Sequence, residues 1–305
     1  MSDINLKTKA TGSAGGKVIL LGEHAVVHGV SALAMGLFNK VSVIAQKCLG
    51  PTHLTVSAWN FDATTLGDRP EDIALSNLCI ELGVGTSGVA LTGDATLPAR
   101  AGLGASAAIA TAAAKALSIF NGLSINQQRI FNAVQASEKV FHGNPSGLDA
   151  ATVTAQGVIK FSKKTGPISL SCPAPALVII NSLERGETKK TVSLFARQLK
   201  NDLKEGSRRL NKIEELVATG ERHLLKGDMS NLGKVMSENH EHLRWFGVSS
   251  DRLNDICKIS IEAGAMGAKL TGGGGGGCAI ALVDNESRSN VIDAVETSGF
   301  QVVPT

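Results

Sequence analysis

A mixed fold of strands and helices, in two domains or one large one, is what this sequence predicts, and three observations predict it. The chain has 305 residues, enough to bury a sizeable core. From Ser31 to Thr96 it carries short β-branched runs, whereas beyond residue 190 apolar residues recur at spacings of three, four and seven. Between these regions Pro173 and Pro175 interrupt the pattern and offer the best domain boundary, dividing 1–172 from 173–305.

Composition narrows the class. Hydrophobic residues at 43% and charged residues at 19% describe an ordinary globular chain. A net charge of +3 is too small to call for nucleic acid, and with no Tyr and two Trp there is no aromatic platform for bases. The five cysteines form no C-x-x-C pair, which suits a reducing compartment and argues against a zinc ribbon or a disulfide framework. Residues 1–7 hold no signal-peptide stretch and no run reaches the length of a membrane span, so the expected location is cytoplasmic.

The elements follow in order. Val18 to Leu21 is a buried strand that begins at Lys17 and delivers Glu23 and His24 to an edge or mouth. It is not a P-loop, because Val18 replaces the required Ser or Thr. His24 and His28 are four apart, but the H-E-x-x-H order is missing, so zinc is not expected. Val41 to Ala45 and Leu54 to Trp59 read as strands around a Gly50-Pro51 turn, Pro70 to Leu82 as a helix, and Val89 to Thr92 as a strand.

That strand leads into Arg100-Ala101-Gly102-Leu103-Gly104-Ala105-Ser106-Ala107, a glycine turn feeding an alanine-rich helix. Gly102 and Gly104 let backbone approach a ligand closely, and the helix start supplies unpaired N–H groups and a positive dipole end, a ready anion site. The plainer reading is a turn before a packed helix.

A helix from about Asn126 to Phe141 carries Glu138 near its end, and the loop Gly143-Asn-Pro-Ser-Gly147 then presents Asp149. Asp149 there either orients a hydroxyl nucleophile or caps the next element, and Glu138 either meets a metal or faces solvent. Strands at Gly157 to Phe161 and Ala176 to Ile180 follow. Val192 to Val217 predicts one long amphipathic helix, or a pair broken at Gly206, with further helices over Met229 to Arg244 and Leu253 to Ala263. Lys269-Leu-Thr271 precedes six glycines, Gly272 to Gly277, and the apolar strand Cys278 to Leu282. A strand after the glycines, where a dinucleotide fold needs a helix, excludes that reading.

Three separated motifs together resemble the GHMP kinase superfamily and, within it, the mevalonate kinases. They are Gly16-Lys17-Val-Ile-Leu-Leu-Gly22-Glu23-His24-Ala-Val-Val-His28-Gly29, Gly102-Leu-Gly104-Ala-Ser106-Ala-Ala, and Lys269-Leu-Thr271 with its glycines and Cys278. The resemblance implies an α+β fold in two domains, the N-terminal one like ribosomal protein S5 domain 2 and the C-terminal one ferredoxin-like. It implies ATP-dependent, Mg²⁺-dependent phosphorylation of the C5 hydroxyl of mevalonate. Asp149 would be the base or orienting carboxylate, with Lys17 favouring the alkoxide. Arg100 to Ala107 would cradle ATP, Ser106 and Glu138 would hold Mg²⁺, and Lys17, Glu23, His24, Asp149, Thr188, Thr271 and Gly272 would face substrate. His24 would donate to the carboxylate of mevalonate, and Glu23 would accept from a hydroxyl, directly or through a partner.

No nucleic-acid or membrane partner is expected, and a homodimer is left open. Gly15 stands where relatives carry Pro, which predicts a looser entry to the first strand, and Ala105 where they carry Ser. A phosphomevalonate kinase would need extra cations for its substrate, and a non-catalytic nucleotide binder would have no use for a base.

Overall fold

The computed structural model describes residues 8–38, 41–143, 145–155 and 157–304. The start of the chain and Asn144, in the loop before Asp149, lie outside the described residues. Strands β1 (Lys9–Ala14), β2 (Lys17–Leu21), β3 (Ala32–Gly36), β4 (Val41–Pro51), β5 (His53–Val56) and β6 (Phe61–Thr64) come first. Helix α1 (Pro70–Leu82), β7 (Ser87–Ala95), α2 (Ala105–Phe120), α3 (Gln127–His142) and α4 (Leu148–Ala155) follow. The remainder is β8 (Val158–Ser162), β9 (Gly166–Ser169), β10 (Leu177–Asn181), α5 (Thr188–Asn201), α6 (Leu203–Lys226), α7 (Met229–Trp245), α8 (Asp251–Glu262), β11 (Gly267–Leu270), β12 (Cys278–Leu282), α9 (Arg288–Thr297) and β13 (Gln301–Val303).

These elements form two compact units whose segments interleave along the chain. The first unit comprises the described parts of Met1–Gly16, Gly36–Ala99 and Gly104–Gln156. Its five-stranded sheet has the order β1-β4-β7-β5-β6, antiparallel except where β5 runs parallel to β7. Alanine fills most of the buried face of α2, so the helix can lie very close to β1. At Gly12 the approach is so close that a side chain would overlap the Ala112 carbonyl. Gly15 is similarly committed, because a Cβ there would fall on the Leu37 carbonyl. The entry to β2 is therefore tight rather than loose.

The second unit comprises Lys17–Met35, Arg100–Leu103 and the described part of Gly157–Thr305. It holds two four-stranded sheets, ordered β2-β3-β8-β9 and β11-β12-β10-β13. Strand β2 is buried along its whole length, as its unbroken apolar run predicts. The basic amphipathic stretch is a pair of helices, but the break lies at Asp202, not Gly206. The Asp202 side chain accepts the Glu205 N–H at 3.0 Å and caps α6. Gly206 sits inside the first turns of α6, where a Cβ would press on Leu199 of α5. Strand β11, which precedes the six glycines and pairs antiparallel with β12, is not evident in the sequence pattern.

Candidate active site

In the second unit, the end of β2 turns sharply. Gly22 has φ 91°, and His24 follows at φ 59° and ψ −47°, a conformation non-glycine residues rarely adopt. Strain of this kind costs about 1–3 kcal/mol and persists only where its surroundings enforce it. Glu23 is anchored on one side of it. Its carboxylate pairs with the Lys269 ammonium, and its other oxygen accepts from Asn239 Nδ2 at 3.3 Å. Glu23, Lys269 and Asn239 are all at most 1% exposed. Lys269 also donates to the carbonyls of Ile19 and Leu270, so the ammonium has an acceptor for each of its protons. Burial lowers the pKa of Lys269 below the usual lysine value, and the Glu23 carboxylate opposes that shift.

His24 is held by its ring. Nε2 lies 2.9 Å from the carbonyl oxygen of Gly273, and the imidazole stacks on Phe195 with centroids 5.5 Å apart and planes within 11°. Phe195 packs in turn on Phe246 at 3.8 Å and on His28 at 5.3 Å. Desolvation, then the nearby charges of Lys269 and His28, lower the His24 pKa to about 4 against the pull of the Gly273 hydrogen bond. Thr271 clamps the middle of β2. Its hydroxyl accepts the Ile19 N–H at 2.7 Å and donates to the Ile19 carbonyl at 3.2 Å. His240 Nδ1 accepts the Leu270 N–H at 3.3 Å, and its pKa is also lowered to about 4, chiefly by burial and then by Lys269.

The glycine run is a packing hub. Gly272 meets Gly102 backbone, Gly273 faces the Thr188 side chain, Gly274 faces the Val248 carbonyl, and Gly277 faces the Ala101 carbonyl. Each contact occupies the place of a side chain, which explains why glycine fills the run. Through it the unit gathers Lys17, Glu23, His24, Arg100 to Leu103, Thr188, Thr271 and Gly272. Buried Lys17 donates from Nζ to the Gly102 carbonyl at 3.1 Å, and its own N–H donates to the Leu103 carbonyl at 2.9 Å. Arg100, like His24, has positive φ, at 58°.

The remaining expected residues belong to the first unit. Gly104 stands at the α2 N-cap in the left-handed region, φ 73°, with no side chain capping the helix. Ala105, Ser106 and Ala107 form the first turn, and the Ala108 N–H is the first to bond back, to the Gly104 carbonyl at 2.9 Å. Helices α2, α3 and α4 pack on one another. Glu138 is buried on α3, its carboxylate 3.5 Å from His142 Nε2 one turn on. Asp149 is the second residue of α4 rather than its cap. Ahead of it Gly147 has φ 89°, and the Ser146 hydroxyl accepts the Leu148 N–H at 3.3 Å.

The sequence motifs include Lys269 but not its pairing with Glu23, and the long-range contacts of Asn239 with Glu23 and of Phe195 with His24 were not read from the sequence. The signal for Lys269 was a lone lysine between Ala268 and Leu270 in a short apolar stretch. In this structure the Glu23 carboxylate is bonded to Lys269 and Asn239, and His24 Nε2 to the Gly273 carbonyl.

Two family descriptions match the chain, "GHMP kinases N terminal domain" over residues 71–157 and "GHMP kinases C terminal" over 221–301. A mevalonate kinase of Thermococcus sibiricus is 31% identical, with 96% of this chain and 94% of that protein covered. One of Aeropyrum pernix is 28% identical, covering 97% and 95%. Among solved structures, the L. major mevalonate kinase in complex with R-mevalonate superposes with a TM-score of 0.84 at 26% identity, covering 99% of this chain and 98% of that one.

Proposed function

The chain belongs to the mevalonate kinase family of GHMP kinases, and on that premise we propose that it transfers the γ-phosphoryl group of ATP to the C5 hydroxyl of mevalonate. One observation carries the reading: a buried lysine, Lys17, bonded to the glycine turn that leads into the uncapped N-terminus of α2. An uncapped helix start offers backbone N–H groups and positive partial charge to phosphate oxygens. Phosphoryl transfer asks a protein chiefly for positioning and charge neutralisation, and this arrangement supplies both.

In this reading Arg100 to Ala107 cradle the phosphates. Asp149 orients or deprotonates the attacking hydroxyl, and Lys17 favours the charge developing on that oxygen. Ser106 and Glu138 are hard oxygen donors on two packed helices, a set that fits Mg²⁺ completed by phosphate oxygens. When bound, that ion neutralises phosphate charge. Glu23, His24, Thr188, Thr271 and Gly272 shape the side that takes the inert end of mevalonate.

The test is ADP release over a panel of mevalonate, phosphomevalonate and galactose. Mevalonate is expected to be the substrate turned over. Asp149→Asn is expected to lower kcat by about two orders of magnitude or more, the scale of losing a positioned acid/base group. Better turnover of phosphomevalonate would overturn the substrate assignment. A variant keeping more than a third of wild-type turnover would remove Asp149 from the chemistry.

A further inference from the structure

The orientation of His24 is fixed by two contacts that also decide what the ring can bind. A carbonyl oxygen only accepts, so the 2.9 Å contact to Gly273 requires the proton on Nε2. The ring cannot easily leave this position. It lies flat against Phe195, which is 1% exposed and is itself backed at 3.8 Å by Phe246. The backbone of His24 is held in its unusual conformation by the turn bonds from Val26 N–H to the Gly22 carbonyl and from Val27 N–H to the His24 carbonyl, both 3.0 Å. Among the described residues Nδ1 has no hydrogen-bond partner, and burial beside the Lys269 ammonium keeps the imidazole neutral. A neutral ring with its proton on Nε2 presents Nδ1 as a lone pair.

We propose that Phe195 is a positioning residue that locks His24 with Nε2–H on Gly273, so that Nδ1 accepts a hydrogen bond from the tertiary hydroxyl of mevalonate. This rests on the functional reading above and reverses the role expected for His24. A lone pair repels a carboxylate and recognises an O–H donor. Specificity at this position is therefore for a hydroxyl, and an acid lacking it leaves a buried acceptor unsatisfied. Phe195 touches neither reacting atoms nor substrate in this account; it acts through the plane of the His24 ring.

Two measurements test it. The first is the ¹⁵N spectrum of the intact wild-type protein at neutral pH, with His24→Gln identifying the His24 signals. The expected result is a protonated Nε2 and a pyridine-type Nδ1; a protonated Nδ1 overturns the proposal. The second compares mevalonate with its analogue lacking the tertiary hydroxyl, in wild type, Phe195→Leu and Phe246→Leu. For mevalonate, Phe195→Leu is expected to lower kcat/KM about tenfold, mostly through KM, with KM for ATP unchanged. Phe246→Leu, one ring further back, should act in the same direction but less.

With the analogue neither substitution should matter. Equal losses on both substrates would make the stack merely structural and overturn the proposal. Wild-type protein inert towards mevalonate overturns the functional reading, and the hydroxyl assignment with it. An active protein with a protonated Nδ1 overturns only the assignment made here.

Discussion

His24 and His240 are two imidazoles kept uncharged inside one unit, and that has a thermodynamic signature. Both have folded pKa values near 4 against an ordinary 6.5, with burial the first cause. Between those values the unfolded chain binds protons that the folded chain does not, so stability rises with pH through this window and is lost as pH falls. Each histidine is expected to withdraw about 2 kcal/mol of stability between pH 7 and pH 5. Urea midpoints of the wild type at the two pH values should differ accordingly, and His240→Gln should flatten the difference. An unchanged difference in that variant would place the acid sensitivity elsewhere. Neither histidine's state was legible in the sequence. The partner of His24, Gly273, lies 249 positions away, and only the fold reveals that Nε2 is spent on it.

Elements were legible to the degree that their own residues determined them. Strand β2 and helices α1, α2, α3, α7 and α8 stand close to where apolar periodicity and flanking glycines put them. Strands β1 and β3, Lys-Ala-Thr-Gly-Ser-Ala and Ala-Leu-Ala-Met-Gly, are poor in β-branched residues and owe their form to neighbouring strands. Strand β11 was hidden because its central lysine contradicts a buried strand until Glu23 is seen opposite it. That pair ties β11 to the end of β2, and its strength can be measured. Lys269→Met leaves the Glu23 carboxylate buried without its cation and is expected to cost about 3–5 kcal/mol, whereas Lys269→Met with Glu23→Leu should recover most of the loss. A single substitution costing under about 1 kcal/mol would show that the tie is not an anchor.

At the scale of the whole molecule, the chain passes between the two units after Gly16, Met35, Ala99 and Leu103, and again before Gly157. The glycine turn expected to cradle phosphate is itself divided, with Arg100 to Leu103 in the second unit and Gly104 onward in the first. A fragment spanning 173–305 would lack β2, β3, β8 and β9, an entire sheet of the second unit. It would also strip Lys269 and Thr271 of their partners on β2. Such a fragment is expected to give no cooperative urea transition by circular dichroism, and a sharp one would refute the dependence. The same interleaving has a consequence during synthesis. The apolar strands β2 and β3 leave the ribosome early, but the β8 strand that pairs with β3 ends the wait only about 120 residues later, roughly 6 to 25 seconds at ordinary elongation rates. For that interval Val18-Ile-Leu-Leu21 and Ala32-Leu-Ala-Met35 are apolar nascent segments without their final cover, so the yield of folded protein is expected to respond to the rate of translation and to chaperones that shield such segments.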